Sequence, residues 1–130
     1  SQFIMNKLSN RFDLEERTGK FGEQIISFCS SVRRDEITRP IISQLIRSGT
    51  SIGANYMEAN GASSKRDFVN KIFICKKEAQ ETKHWLRMIA SCLPDKKEET
   101  RKLWQECQEL TLIFQKIGMT SRQDKGAEEI

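Results

Sequence analysis

Apolar residues recur at steps of three and four in four successive stretches, the spacing of one helix face. The first stretch holds Leu14, Phe21, Ile25, Phe28 and Val32. The second holds Ile41, Leu45, Ile52 and Tyr56. The third and longest holds Phe68, Ile72, Cys75, Ala79, Leu86, Ile89 and Leu93, and the fourth Leu103, Cys107, Leu110, Phe114 and Ile117. The residues between them read as caps and stops. Asp13 suits an N-cap, with Glu15 and Glu16 in the first turn and Arg33 and Arg34 at the carbonyl end. Thr38 with Pro40 opens the second helix and Asn60-Gly61 closes it. Ser63 or Ser64 caps the third, with Asp67 completing a capping box, and Pro94 ends it. Asp95 with Glu98 starts the fourth and Gly118 stops it. Helices are therefore expected over 14–34, 38–60, about 64–93 and 95–118. Residues 1–12 read as a polar N-terminal arm and 119–130 as a flexible tail. Short connections between amphipathic helices predict an all-α, antiparallel up-down-up-down four-helix bundle over residues 13–118.

The second helix is the unusual one. Gly49 and Gly53 stand inside it, four residues apart. Each costs about 1 kcal/mol against alanine, so a neighbouring backbone is expected to press close. Arg47, Ser51, Asn55 and Glu58 form a polar stripe on the same helix; Arg47 and Glu58, three turns apart, point nearly the same way. This seam reads either as a network that fixes helix register or as a ligand-facing row.

Charge adds a direction. The chain carries a net +4, and residues 62–94 account for it: Lys65, Arg66, Lys71, Lys76, Lys77, Lys83 and Arg87 against Asp67, Glu78 and Glu81. On the third helix Lys65, Lys76, Lys83 and Arg87 share one stripe over about 33 Å, a spacing that can follow a phosphate backbone and that also occurs on plainly solvated helices. Ile74, Trp85 and Met88 lie away from the core stripe of that helix, and a lone bundle would leave them wet. They read as a surface for self-association.

Composition narrows the rest. No stretch reaches the ~18 apolar residues of a membrane span and no charged-then-apolar leader opens the chain, so no membrane role and a cytoplasmic location are expected. The cysteines, at 29, 75, 92 and 107, form no C-x-x-C pair and sit at apolar positions, as reduced buried thiols do. Glu81-x-x-His84 has the spacing of di-iron bundles, but His84 is the one histidine and such sites need the motif twice. Glu78-x-x-Glu81 could hold Mg²⁺ in a helical nucleotide hydrolase, which would need a further facing carboxylate such as Glu58; Lys71 and Arg47 are more natural partners, and salt-bridged carboxylates are the better reading. No nucleophile–base pairing is evident, so no catalytic residue, metal or cofactor is expected.

The motif Gln44-Leu45-x-Arg47-Ser48-x-x-Ser51-Ile52-x-x-Asn55-x-x-Glu58-Ala59 resembles the helix-2 signature of the 23S rRNA intervening-sequence proteins, which reads Q-L-x-R-[AS]-x-x-S-I-x-x-N-I-x-E-[AG]. Ser64-Lys65-x-Asp67-Phe68, the run Glu78-Ala79-x-Glu81-Thr82-x-x-Trp85-Leu86 and the opening Phe12-Asp13-Leu14-Glu15-Glu16-Arg17-Thr18 extend the likeness over about residues 12–118. The chain departs at Gly53, where members often carry proline or valine. The resemblance implies a four-helix bundle assembling as a homopentamer. It also points to a branch that serves diversity-generating retroelements by binding a reverse transcriptase and nucleic acid.

The expectation is thus a non-enzymatic, homo-oligomeric bundle that binds nucleic acid, RNA foremost or DNA, through Lys65, Lys76, Lys83, Arg87 and, if it faces an assembly axis, Arg47. The rival is a protein-binding scaffold, such as the accessory partner of a reverse transcriptase, working through Ile74, Trp85 and Met88. A metal-dependent nucleotide hydrolase stands third.

Overall fold

The computed structural model describes the backbone of residues 2–129 and the side chains of residues 13–122. Its elements are α1 (Gln2–Ser30), α2 (Thr38–Asn60), α3 (Lys65–Cys92), a single 3₁₀ turn (Pro94–Lys96) and α4 (Lys97–Glu129). Among the described residues there is no strand. Cross-helix pairs fix the directions. Asn60 Nδ2 donates to Glu15 across α1 and α2, while Lys71 meets Glu58 and Thr82 meets Ser48 across α2 and α3. Lys83 meets Gln108, and Gly118 lies against Ile72, across α3 and α4. In each pair one number rises as the other falls, so successive helices are antiparallel.

The apolar stripes become the core. Phe21, Ile25, Leu45, Ile52, Ile72, Leu86, Ile89, Leu110 and Phe114 are all essentially inaccessible, and the Tyr56 and Phe114 rings meet at 5.9 Å. α3 packs along both α2 and α4; α1 packs mainly on α2 and only sparsely on α4. The glycines of α2 serve α1. A Cβ on Gly49 would stand 3.0 Å from two carbons of Ile25, and one on Gly53 3.4–3.5 Å from Thr18, including its backbone. The close neighbour expected from the sequence is α1.

Several boundaries differ from the sequence reading. α1 begins at Gln2, so Asp13 is an interior residue and caps nothing. The arm of residues 1–12 consists of residues whose side chains lie outside the described set. α1 also ends at Ser30, where Ser31 and Val32 turn back with N–H bonds to Phe28 and Cys29. Val32 stays buried under that turn, which is why the apolar spacing ran past the helix. α2 is capped by Asp35, whose Oδ1 accepts from the N–H groups of Ile37 and Thr38 at 2.9 and 2.8 Å. Thr38 Oγ1 returns the bond by accepting from Asp35 N–H, and donates to the Arg33 carbonyl. Ser64 caps α3 as expected, accepting from Asp67 N–H at 3.0 Å. No side chain caps the 3₁₀ turn before α4, so Asp95 does not act with Glu98. Gly118 is no stop: α4 runs through it to Glu129, and it is buried against Ile72, whose Cγ2 would lie 3.8 Å from an added Cβ. The tail of 119–130 is helical in backbone to Glu129, and its side chains beyond residue 122 lie outside the described set. No described helix is long and apolar enough to cross a membrane.

Candidate nucleic-acid interface

Four carboxylates of α3 and α4 are drawn onto the flanks that face α2 and α1, while Glu98 pairs with Arg101 of its own helix at 2.7 Å. On the α2 flank of α3, Arg47 pairs with Glu78 at 3.2 Å and with Glu81 in a short contact, and Lys71 pairs with Glu58 at 3.2 Å. Hydrogen bonding to Glu81, then charge from Glu78, holds the guanidinium more firmly protonated than usual. On the α1 flank of α4, Arg17 grips Glu106 with both arms of its fork, at 2.8 and 2.7 Å, and reaches Glu109 at 2.6 Å. The hydrogen bond from Arg17 keeps the Glu106 carboxyl below the ordinary range.

What remains on the outer side is the groove between α3 and α4. From α3 it is edged by Phe73, Lys76, Gln80, Lys83 and Arg87, and from α4 by Arg101, Trp104, Gln108, Gln115, Met119 and Arg122, by helical register. Neither stripe contains an Asp or Glu. Lys83 Nζ donates to Gln108 and lies 5.4 Å from the Trp104 ring centre. Lys76 Nζ lies 5.9 Å and the Arg122 guanidinium 4.3 Å from the centre of Phe73. Both rings are well exposed, Phe73 at 44% and Trp104 at 39%. Positive charge and flat aromatic surface thus alternate along one groove.

Of the residues picked from sequence, Lys76, Lys83 and Arg87 stand on this edge, and Lys65 stands on the same face at the first residue of α3, half-buried and already engaged. Arg47 does not join them: it is occupied with Glu78 and Glu81 on the opposite flank. The polar seam is real at its two ends. In its middle, Ser51 Oγ donates to the Arg47 carbonyl and Asn55 Nδ2 to the Ser51 carbonyl, so those side chains serve the backbone of α2. Ile74, Trp85 and Met88 are half-buried rather than wet. Because α3 is flanked on both sides, its buried arc is wide; Trp85 packs on the core, its ring centre 4.8 Å from that of His84 in an edge-on arrangement. The apolar residues that do stand out on this side are Phe73, Trp104, Leu112 and Met119. Sequence reasoning passed over Phe73, although it shares the stripe of Lys76 and Lys83, and over Trp104, which sits next to core residue Leu103 but off its face.

Among the described residues no three or more His, Cys, Asp or Glu side chains gather as ligands would. Burial pushes the thiols of Cys75 and Cys107 up to about 12 and that of Cys29 to about 11, which keeps them protonated and unreactive. A second concavity, an open groove of about 500 Å³ between α1 and α2, has a floor of Gly19, Gly22, Gly53 and Ala54 between Ile26 and Met57, with Glu15, Glu16 and Glu23 on its rim.

Residues 10–116 match the family described as 23S rRNA-intervening sequence protein. The chain belongs to that family. A similar solved structure is a protein of unknown function of the S23 ribosomal protein family from Bacteroides thetaiotaomicron: 28% identical, TM-score 0.77, over 84% of this chain and 97% of that one. Among curated proteins nothing matches. The family match spans both carboxylate flanks and nearly all of the basic groove; Arg122 and Met119 lie just beyond it.

Proposed function

We propose that this member of the 23S rRNA-intervening sequence protein family is a non-catalytic, self-associating bundle that binds nucleic acid, RNA foremost, along the α3/α4 groove. One observation carries the reading: Lys76, Lys83, Arg87 and Arg122 line a groove whose facing stripes hold no Asp or Glu, while Glu78 and Glu81 pair with Arg47, and Glu106 and Glu109 with Arg17, on other flanks; the carboxylate of Glu98 reaches its end only through Arg101. Away from the Arg101–Glu98 pair, phosphates approaching there meet cations with no carboxylate paired to them. Contacts of this kind release counterions, so log Kobs falls linearly with log salt, by about 0.7 per phosphate on a single strand. Four engaged cations give a slope near −3 per protomer. Titrating labelled RNA at several salt concentrations tests this, and a flat response would sink it. Lys83→Gln should flatten the slope by somewhat less than one, and Arg47→Gln should leave it unchanged.

A protein-binding role is favoured by a different observation, the open α1/α2 groove with Ile26 and Met57 exposed beside it. On that reading Met57→Lys abolishes capture of a protein partner and leaves RNA binding intact. Native molar mass with and without RNA measures the self-association.

A further inference from the structure

The proposed nucleic-acid groove has more than charge, and its extra features select the form of the ligand. We propose that the α3/α4 groove binds single strands in preference to duplexes, with Phe73 and Trp104 as platforms on which unpaired bases stack. The proposal rests on the nucleic-acid reading above and deepens it. Two aromatic side chains are left open on an edge that also exposes Leu112 and Met119, where burial would have been the ordinary fate of a phenyl or indole ring. Each is flanked by cations, Lys83 beside Trp104 and Lys76 with Arg122 beside Phe73. That pairing matches the local chemistry of a strand. A base and its phosphate are joined through one sugar, so a base lying on the ring brings its phosphate within reach of the neighbouring ammonium or guanidinium. Lys83 stands opposite Gln108 and Ile72 opposite Gly118, so the fourteen residues of α4 from Trp104 to Gly118 put the two platforms about 20 Å apart along the groove. Gln108 and Gln115 lie between, with amide groups able to meet base edges. In a duplex the base faces are already stacked on one another, so the rings add nothing and only the phosphate contacts remain.

The test is fluorescence anisotropy with a labelled oligouridylate of roughly twelve nucleotides and an RNA duplex of similar length, at equal salt. The strand should bind at least about tenfold more tightly, and Phe73→Ala and Trp104→Ala should each weaken strand binding about tenfold. Duplex affinity and the salt slope should not move, and Trp104→Phe, which keeps a ring, should retain most of the affinity. In a Trp85→Phe background the strand should quench the fluorescence of Trp104, an outcome that needs no disruptive variant. A duplex bound as tightly as the strand, alanine variants that bind the strand normally, or unquenched Trp104 would overturn the stacking proposal while steep salt dependence keeps the phosphate reading alive. Absence of binding to either probe sinks both. A fall in native molar mass in the alanine variants also overturns it, since the rings would then belong to a contact between copies.

Discussion

At the scale of single residues, the glycines show how similar letters carry different physical meanings. Four lie inside α1 and α2, and for Gly19, Gly49 and Gly53 the surrounding space sets three distinct outcomes. Gly19 has nothing within 4 Å of an added Cβ, so Gly19→Ala should stabilise the fold by about 0.5–1 kcal/mol through helix propensity alone. Gly53→Ala meets Thr18 at ordinary contact distance and should come out near zero, the propensity gain offsetting slight crowding. Gly49→Ala puts a methyl 3.0 Å from Ile25, which is fully buried and has nowhere to retreat. Overpacking of that kind costs about 1–3 kcal/mol, so a net loss of about 1 kcal/mol is expected. Urea unfolding of the three variants checks the order, and equal effects at all three sites would show that the α1–α2 approach is looser than described. The sequence indicated that Gly49 and Gly53 face a close neighbour, because interior glycines are costly. It could not say which helix supplied it. Nor could it separate Arg47 from the other cations: charge is visible in a sequence, but its partners Glu78 and Glu81, more than thirty residues away, come together only through the α2–α3 packing.

Elements were legible where local chemistry decides them. Four apolar stripes at helical spacing gave four helices, and α2 has the bounds its caps suggested. Ser64 was readable as a cap because its hydroxyl needs only the backbone three residues on. Ser64→Ala should cost about 1 kcal/mol, measured by thermal unfolding, and Ser64→Asp should restore most of it. At the start of α2 the cap was misassigned to Thr38, since threonine and aspartate are both good candidates and the choice depends on how the chain leaves α1. The reciprocal bonds of Asp35 and Thr38 make Asp35 the more sensitive position. Asp35→Ala should destabilise more than Thr38→Ser, and removing Asp35 should leave α3 and its cap unaffected. The outward reading of Trp85 failed for a related reason. A helical wheel gives an angle, but how wide an arc is covered depends on the number of neighbours, and α3 has one on each side.

For the whole molecule, the uneven packing of the helices sets the order in which the structure opens. α3 is held by α2 and α4 along its length, whereas α1 has α2 on one side and, towards α4, chiefly the clasp of Arg17 on Glu106 and Glu109. Local opening free energy follows such contact density, so α1 should be the first helix to detach. The clasp is partly exposed, and a contribution of about 1 kcal/mol is reasonable for a bidentate pair of this kind. Its pH dependence has a fixed sign. Glu106 is held below its ordinary value of 4.5, chiefly by the hydrogen bond from Arg17, so the clasp acts in full above that value and weakens as pH falls through the depressed one. Asp35 is lowered as well, by its bonds to the backbone of Thr38 and Ile37, so acid also loosens the turn that leads from α1 into α2. Native-state hydrogen exchange should therefore find the amides of α2 and α3 slowest, and those of α1 between residues 13 and 30 faster. Once intrinsic rates are corrected for pH, protection in α1 should drop further between about pH 5 and pH 3 while that in α3 changes less. Glu106→Gln should bring the α1 rates at neutral pH close to those of the acidified protein and remove much of their pH dependence. Uniform protection across the helices, or protection in α1 that rises on acidification, would mean that α1 is held by something other than the clasp and its packing on α2.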